Sequence, residues 1–222
     1  MAEVAKETKP THISAVIDRS GSMTQKWDDT VGGFQTFLEE QKALPGKTRY
    51  SLRVFDTEHE LVYDSVERDE ATTIPETIKP RGGTALLDAV GQHINGVREF
   101  LAENEEFEQV VVAIMTDGYE NSSQEFKRAN IQKLVQEAEK DGWQFIFMGA
   151  NINAFQEANN LGMRLSTNVQ YDNTSTMDSF VAASASTMNY RSTGLNVHAN
   201  IDVTDDVTDD ESTTREEKTD GK

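Results

Sequence analysis

Short apolar runs rich in β-branched residues alternate along this chain with longer stretches of helical period, and that alternation restricts it to few folds. The strand candidates are His12 to Asp18, Arg49 to Asp56, Glu60 to Asp64, Gln109 to Thr116, Trp143 to Gly149 and the weaker Leu165 to Tyr171. Between them lie helical patterns. Asp28 to Ala43 carries Val31, Phe34, Phe37 and Leu38 on one side, with Gly46 as a stop signal, and Thr84 to Glu103 repeats Leu87, Val90, Ile94, Val97 and Leu101 at spacings of three and four. Gln124 to Lys140, a shorter stretch near Ala154 to Asn160 and Met177 to Tyr190 complete the set. Only Arg49 to Asp64 reads as a hairpin, its runs separated by Thr57, Glu58 and His59. Elsewhere a helix intervenes, which predicts a doubly wound α/β fold with a mostly parallel sheet and helices on both faces.

In such sheets ligands bind beyond the carboxyl ends of the strands, so the polar residues that follow each strand carry the functional signal. The first strand runs into Asp18-Arg19-Ser20-Gly21-Ser22, a D-x-S-x-S pattern. The loop before the most regular helix is Arg81-Gly82-Gly83-Thr84, and the fourth strand ends in Thr116-Asp117-Gly118. Taken alone, the pentapeptide also reads as an Asp and Ser turn capping the next helix. Its placement at a strand end, with the two other loops in matching positions, favours a shared site. The side chains offered are carboxylates and hydroxyls without nitrogen or sulfur, and such hard oxygen donors suit Mg²⁺, Mn²⁺ or Ca²⁺ rather than zinc.

Charge narrows the choice of partner. With 39 acidic against 21 basic residues the net charge is −18, a field that repels phosphate backbones and anionic lipid surfaces, so neither nucleic acid nor a membrane is expected to bind. The chain has no cysteine, hence no disulfide framework and no thiolate chemistry. The charge is uneven: the segment after His198 holds nine acidic against three basic residues, and within it Val203-Thr-Asp-Asp206 is repeated as Val207-Thr-Asp-Asp210. That repeat lacks the central glycine and terminal glutamate of a calcium loop. The expected layout is a flexible N-terminus over 1–10, one domain over 11–193 and an acidic disordered tail over 194–222. A cytoplasmic protein is expected, or a virion protein if a phage encodes it.

With these residues in view, the chain resembles the von Willebrand factor A domains, whose metal-ion-dependent adhesion site combines D-x-S-x-S with a distant Thr and a distant Asp. Asp18, Ser20, Ser22, Thr84 and Asp117 match those positions, and the resemblance extends from about Thr11 to Arg191. Gly33 to Asp56, Pro80 to Asp88 and Phe147 to Asn151 look like stand-alone members from bacteria and their phages. The resemblance implies a six-stranded, Rossmann-like sheet with one antiparallel edge strand. It also implies that Ser20 and Ser22 touch the ion directly while Asp18 and Asp117 act largely through water. An ion held by neutral hydroxyls stays under-neutralised and takes an Asp or Glu from a protein partner, with Thr84 as the movable ligand.

Met23, Trp27, Arg81 and Tyr119 flank the motif residues and have the aromatic, Met and Arg character of a binding rim; Trp27 reads equally as a residue packing the first loop on the body. The competing readings are a metal-dependent phosphohydrolase and a structural part of a larger assembly such as a phage particle. Against the hydrolase, there is no D-x-D, no phosphate loop and no G-x-S-x-G elbow. His12 and His93 read as a strand-start and a helix-surface residue, and no base is evident to activate Ser20 or Ser22. The expected activity is therefore binding, with no catalytic residue.

Overall fold

The computed structural model describes residues 9–149, 152–163, 168–170 and 176–195 of the 222-residue chain. Its strands are β1 (Thr11–Asp18), β2 (Thr48–Phe55), β3 (His59–Glu67), β4 (Gln109–Thr116), β5 (Gln144–Gly149) and β6 (Asn168–Gln170). The helices are α1 (Trp27–Ala43), α2 (Leu86–Glu103), α3 (Arg128–Lys140), α4 (Ile152–Asn160) and α5 (Thr176–Thr193). The strands form one six-stranded sheet in the order β3-β2-β1-β4-β5-β6. All neighbours are parallel except β2 and β3, so the hairpin supplies the antiparallel edge.

Every residue of β1 and β4 is buried, as expected for central strands covered on both faces. Alternation within β1 sends Ile13, Ala15 and Ile17 into a core with Phe34 and Phe37 of α1 and Phe180 of α5. Val16 joins the opposite core, with Val90, Ile94 and Val97 of α2 and Ile131 and Val135 of α3. Helices α1 and α5 approach closely because Gly33 has no side chain: a Cβ there would lie 2.4 Å from the Phe180 ring. From β1 the chain winds to β2 on one side, and β4 then pairs with the other side of β1. The connection therefore reverses direction between β1 and β4, which opens a crevice at their carboxyl ends. Asp18 and Thr116 sit at that crevice.

Several boundaries shift from expectation, each for a local reason. Helix α2 starts at Leu86 rather than Thr84, because the backbone groups of Thr84 bond to the segment after β4. Helix α3 starts at Arg128 rather than Gln124, because the N–H groups of Gln124, Glu125 and Phe126 all donate to the Asp88 carboxylate. Strand β3 runs on to Glu67 past an irregularity in its pairing with β2, near which Ser65 adopts a φ of 48°. His93 is not on the helix surface; it lies buried between α2 and the sheet, and His12 is buried as well. Of the weak sixth strand, the described residues Asn168–Gln170 pair with β5, and the rest of its expected range lies outside the described residues. The expected tail beyond 195 and most of the expected N-terminal segment lie outside the described residues. Among the described residues no helix is long and apolar enough to cross a membrane.

Candidate metal centre

Asp18 closes β1 with no solvent exposure. One carboxylate oxygen accepts the Ser20 N–H at 2.6 Å; the other accepts the Thr116 hydroxyl, also at 2.6 Å, across the parallel pairing of β1 and β4. Burial pushes its pKa up to about 6; the hydrogen bonds from Thr116 and Ser20 pull it back, and the nearby charge of Asp117 adds to the rise. A buried carboxylate beside a second one is a place where a cation gains energy.

The chain then turns through a short 3₁₀ segment, Gly21–Gln25, which points the motif serines toward β4. The Ser20 and Ser22 hydroxyl oxygens are 3.1 Å apart, and Ser22 donates to Asp117 Oδ1 at 2.5 Å. Lys26 donates to Asp117 Oδ2 at 2.9 Å. A continuous run of polar contacts thus joins Thr116, Asp18, Ser20, Ser22, Asp117 and Lys26.

The third loop is stitched to the other two by its backbone. Gly82, at a φ of 66° that favours glycine, accepts the Gly21 N–H, while the Arg81 N–H donates to the Arg19 carbonyl and the Ala85 N–H to the Asp56 carbonyl. This brings Thr84 beside the centre: a Cβ added to Gly118 would lie 3.2 Å from the Thr84 hydroxyl and 3.8 Å from the Ser22 hydroxyl. The Thr84 N–H donates to Asn121 Oδ1, and its carbonyl accepts from the N–H groups of Asn121 and Ser122. Glu120 in turn accepts the Leu87 N–H of α2 and the N–H groups of Ser122 and Ser123. Thr84 is consequently coupled to the segment after β4 rather than placed on an independent loop.

The expected rim requires correction. Met23 and Trp27 are buried in the core on the α1 side of the sheet and present no face to a partner, because the 3₁₀ segment packs Met23 inward and Trp27 begins the buried stripe of α1. Arg81 is 60% exposed, but its guanidinium is committed to Asp56 at 2.8 Å and Glu58 at 3.1 Å. Arg19 also pairs with Asp56, at 3.0 Å. Burial alone would raise the Asp56 pKa; the Arg81 hydrogen bond, the Glu58 N–H and the two guanidinium charges outweigh it and hold the carboxyl below its ordinary value. Of the four, Tyr119, 46% exposed, remains a surface group beside the cluster. Thr116, Asn121, Glu120, Asp88 and Lys26 were not singled out by sequence. For Thr116 the signal was its place next to Asp117 at the strand end.

The donor set fits a hard divalent ion. Two carboxylates and three hydroxyls converge from three loops, and among the described residues no group of three His, Asp or Glu side chains offers an alternative metal site. The chain matches the family model for the von Willebrand factor type A domain over residues 12–182. No curated protein matches it. Among solved structures, it is similar to proximal thread matrix protein 1 from the mussel byssus, determined with a zinc-occupied MIDAS motif. Identity is 15% and the TM-score 0.56, over 81% of this chain and 47% of that one, so this chain spans about half the mussel protein's length. Manganese-loaded TRAP of Plasmodium vivax aligns at 14% identity and a TM-score of 0.56, covering 79% of this chain and 73% of that one. The vWF domain of the type V pili tip protein Mfa5 from Porphyromonas gingivalis aligns at 15% and 0.61, covering 82% and 96%. At these identities the likeness establishes a shared fold.

Proposed function

The chain belongs to the von Willebrand factor type A domain family, and on that premise we propose that it is a metal-dependent protein-binding module and not an enzyme. Asp18, Ser20, Ser22, Thr84 and Asp117 hold one divalent cation, Mg²⁺ or alternatively Mn²⁺ or Ca²⁺. The observation that carries this reading is the contact run from Thr116 to Asp117, which gathers oxygen donors around a buried carboxylate that has no ion pair among the described residues. The bound ion would supply an open coordination position for an Asp or Glu carboxylate of a protein partner.

The protein's own groups prepare that position. Ser22 donates its proton to Asp117, so its oxygen acts as an acceptor, taking the Ser20 hydroxyl on one lone pair and leaving the other for an ion. Asp18, held by Thr116 and the Ser20 N–H, orients the first loop. Thr84 answers to the segment carrying Tyr119, so a ligand touching Tyr119 also acts on the third loop. Binding rather than catalysis is supported by the histidines: His12 and His93 are buried beneath α2, and His59 contacts Arg53. The neighbours with a zinc-occupied MIDAS motif, a manganese load and a pilus-tip role favour the same class.

The test is calorimetry with Mg²⁺ and Mn²⁺, followed by partner capture with and without chelator. One ion per chain, and a protein partner lost both on chelation and in Thr84→Ala, supports the reading. Mg²⁺-dependent hydrolysis of a phosphate ester by pure protein, abolished in Asp117→Ala, would replace it with the hydrolase.

A further inference from the structure

Lys26 occupies a position where a lysine is out of place. It directly precedes α1, where the positive end of the helix dipole disfavours a cation, and its side chain caps no backbone group. Asp28 and Asp29, in the first turn, follow the ordinary preference. The Lys26 backbone is nevertheless well anchored: its N–H donates to the Met23 carbonyl at 2.9 Å, and its carbonyl accepts the Thr30 N–H at 2.8 Å and the Thr30 hydroxyl at 2.9 Å. From that anchor the side chain, only 17% exposed, reaches across to the β4 loop and donates to Asp117, whose side chain is 4% exposed.

We propose that Lys26 sets the charge of the metal centre, weakening its hold on the cation while strengthening its hold on an acidic ligand. This inference rests on the metal-binding reading above. Two carboxylates and a divalent ion sum to a neutral centre, which has little attraction for a further anion. The Lys26 ammonium cancels the charge of Asp117 and leaves the loaded centre positive. In a chain of net charge −18 an acidic partner is repelled at long range, so its attraction must come from the immediate surroundings of the site. The same ammonium repels any cation that sits beside Asp117, because like charges a few ångströms apart in a partly buried setting interact by more than thermal energy.

A purely structural Lys26 would tether the first loop to β4 and nothing more. The two roles predict opposite signs. Loss of a tether loosens the cluster and weakens metal binding, whereas loss of a competing charge tightens it.

The experiment titrates Mg²⁺ by calorimetry into the full chain as wild type, Lys26→Met and Lys26→Arg. Lys26→Met is expected to bind Mg²⁺ about tenfold more tightly, and Lys26→Arg to stay within about threefold of wild type. Without metal, Lys26→Met melts at a lower temperature because the ion pair of Lys26 with Asp117 is lost, and Mg²⁺ then raises its midpoint by more than it raises that of wild type. Acetate, titrated into Mg²⁺-saturated protein and followed by NMR, binds Lys26→Met more weakly than wild type. Equal or weaker Mg²⁺ binding by Lys26→Met overturns the role of Lys26 and leaves the metal centre standing. Tighter Mg²⁺ with unchanged acetate binding overturns the role toward the ligand. No Mg²⁺ binding by any of the three proteins overturns this inference together with the metal-binding reading.

Discussion

Strand β1 carries an ionisable residue near each end, His12 at the amino end and Asp18 at the carboxyl end, and neither has any solvent exposure. Burial moves both toward the neutral form. It pushes His12 down to about 4, with Asp64 partly opposing, and Asp18 up to about 6 against its hydrogen bonds. The surroundings then part company. His12 meets the hydroxyls of Ser51 and Ser65 and, at 5.2 Å between ring centroids, Phe100 of α2. His93 of α2 is lowered well below its ordinary value by burial first and then by the charges of Arg53 and His12. That end is a closed interior in which a neutral imidazole is sufficient. Asp18 instead stands among hydroxyls from loops that reach the surface, beside a second carboxylate. A buried titratable group marks a binding site only where its neighbours leave room for an external charge to be matched.

The largest effect expected from breaking this contrast comes from Asp18→Asn. Asparagine can still accept the Ser20 N–H and can donate to the Thr116 hydroxyl, so the fold survives while Mg²⁺ affinity falls by about 100-fold or more. Relief of the buried charge stabilises the metal-free protein by about 1–3 kcal/mol at pH 8, read as a higher thermal midpoint. Loss of both metal affinity and stability would show that Asp18 acts through structure alone.

At the other end of the strand the expected change is in the pH profile. Imidazoles kept neutral by the fold bind protons less readily than those of the unfolded chain. Their contribution is therefore complete above about pH 6.5 and is lost as the pH falls from there toward the lowered folded values. Metal-free protein should melt progressively lower in that window. Replacing His93, whose Nε2 has no hydrogen-bond partner among the described residues, by leucine removes one such group. His93→Leu should flatten the pH dependence of unfolding free energy by about 1.4 kcal/mol per pH unit between pH 6 and 5, measured by denaturant titration. An unchanged slope contradicts a neutral buried His93. Mg²⁺ affinity at pH 7.5 should not respond to this change.

The smallest effect belongs to Thr84→Ala, which removes one hydroxyl while both backbone groups of residue 84 keep their partners in the 117–127 segment. Mg²⁺ affinity should fall by about three- to tenfold, with little change in thermal midpoint, as for a single lost oxygen ligand. A loss as large as that from Asp18→Asn would mean that Thr84 organises the centre.

Continuous apolar runs made the central strands legible, and β4 has the limits expected from sequence. The convergence of the five motif positions was legible because each closes or follows a strand or precedes a helix in a doubly wound sheet. Other placements carried a signal that went unused. Trp27 lies four, seven and eleven residues before Val31, Phe34 and Leu38, on the buried stripe of α1, and His93 lies between Val90 and Val97 on the buried stripe of α2. Residue type suggested the surface for His93 and left rim and packing equally open for Trp27; helical period places both inside. The 117–127 segment had no such signal. It is held by Asp88 and Glu120 through N–H to carboxylate bonds, several of them spanning more than thirty residues, and no local period encodes those. Lys26 is similar: its partner lies 91 residues away.

Whether three loops of this sheet jointly hold one cation is tested most directly by crystals grown with Mn²⁺ and measured for anomalous scattering. A single strong peak bonded to the hydroxyls of Ser20 and Ser22, with Asp18, Thr84 and Asp117 around it, is the predicted result. Absence of a peak there from crystals whose protein binds Mn²⁺ in solution, or a peak elsewhere on the chain, would contradict it.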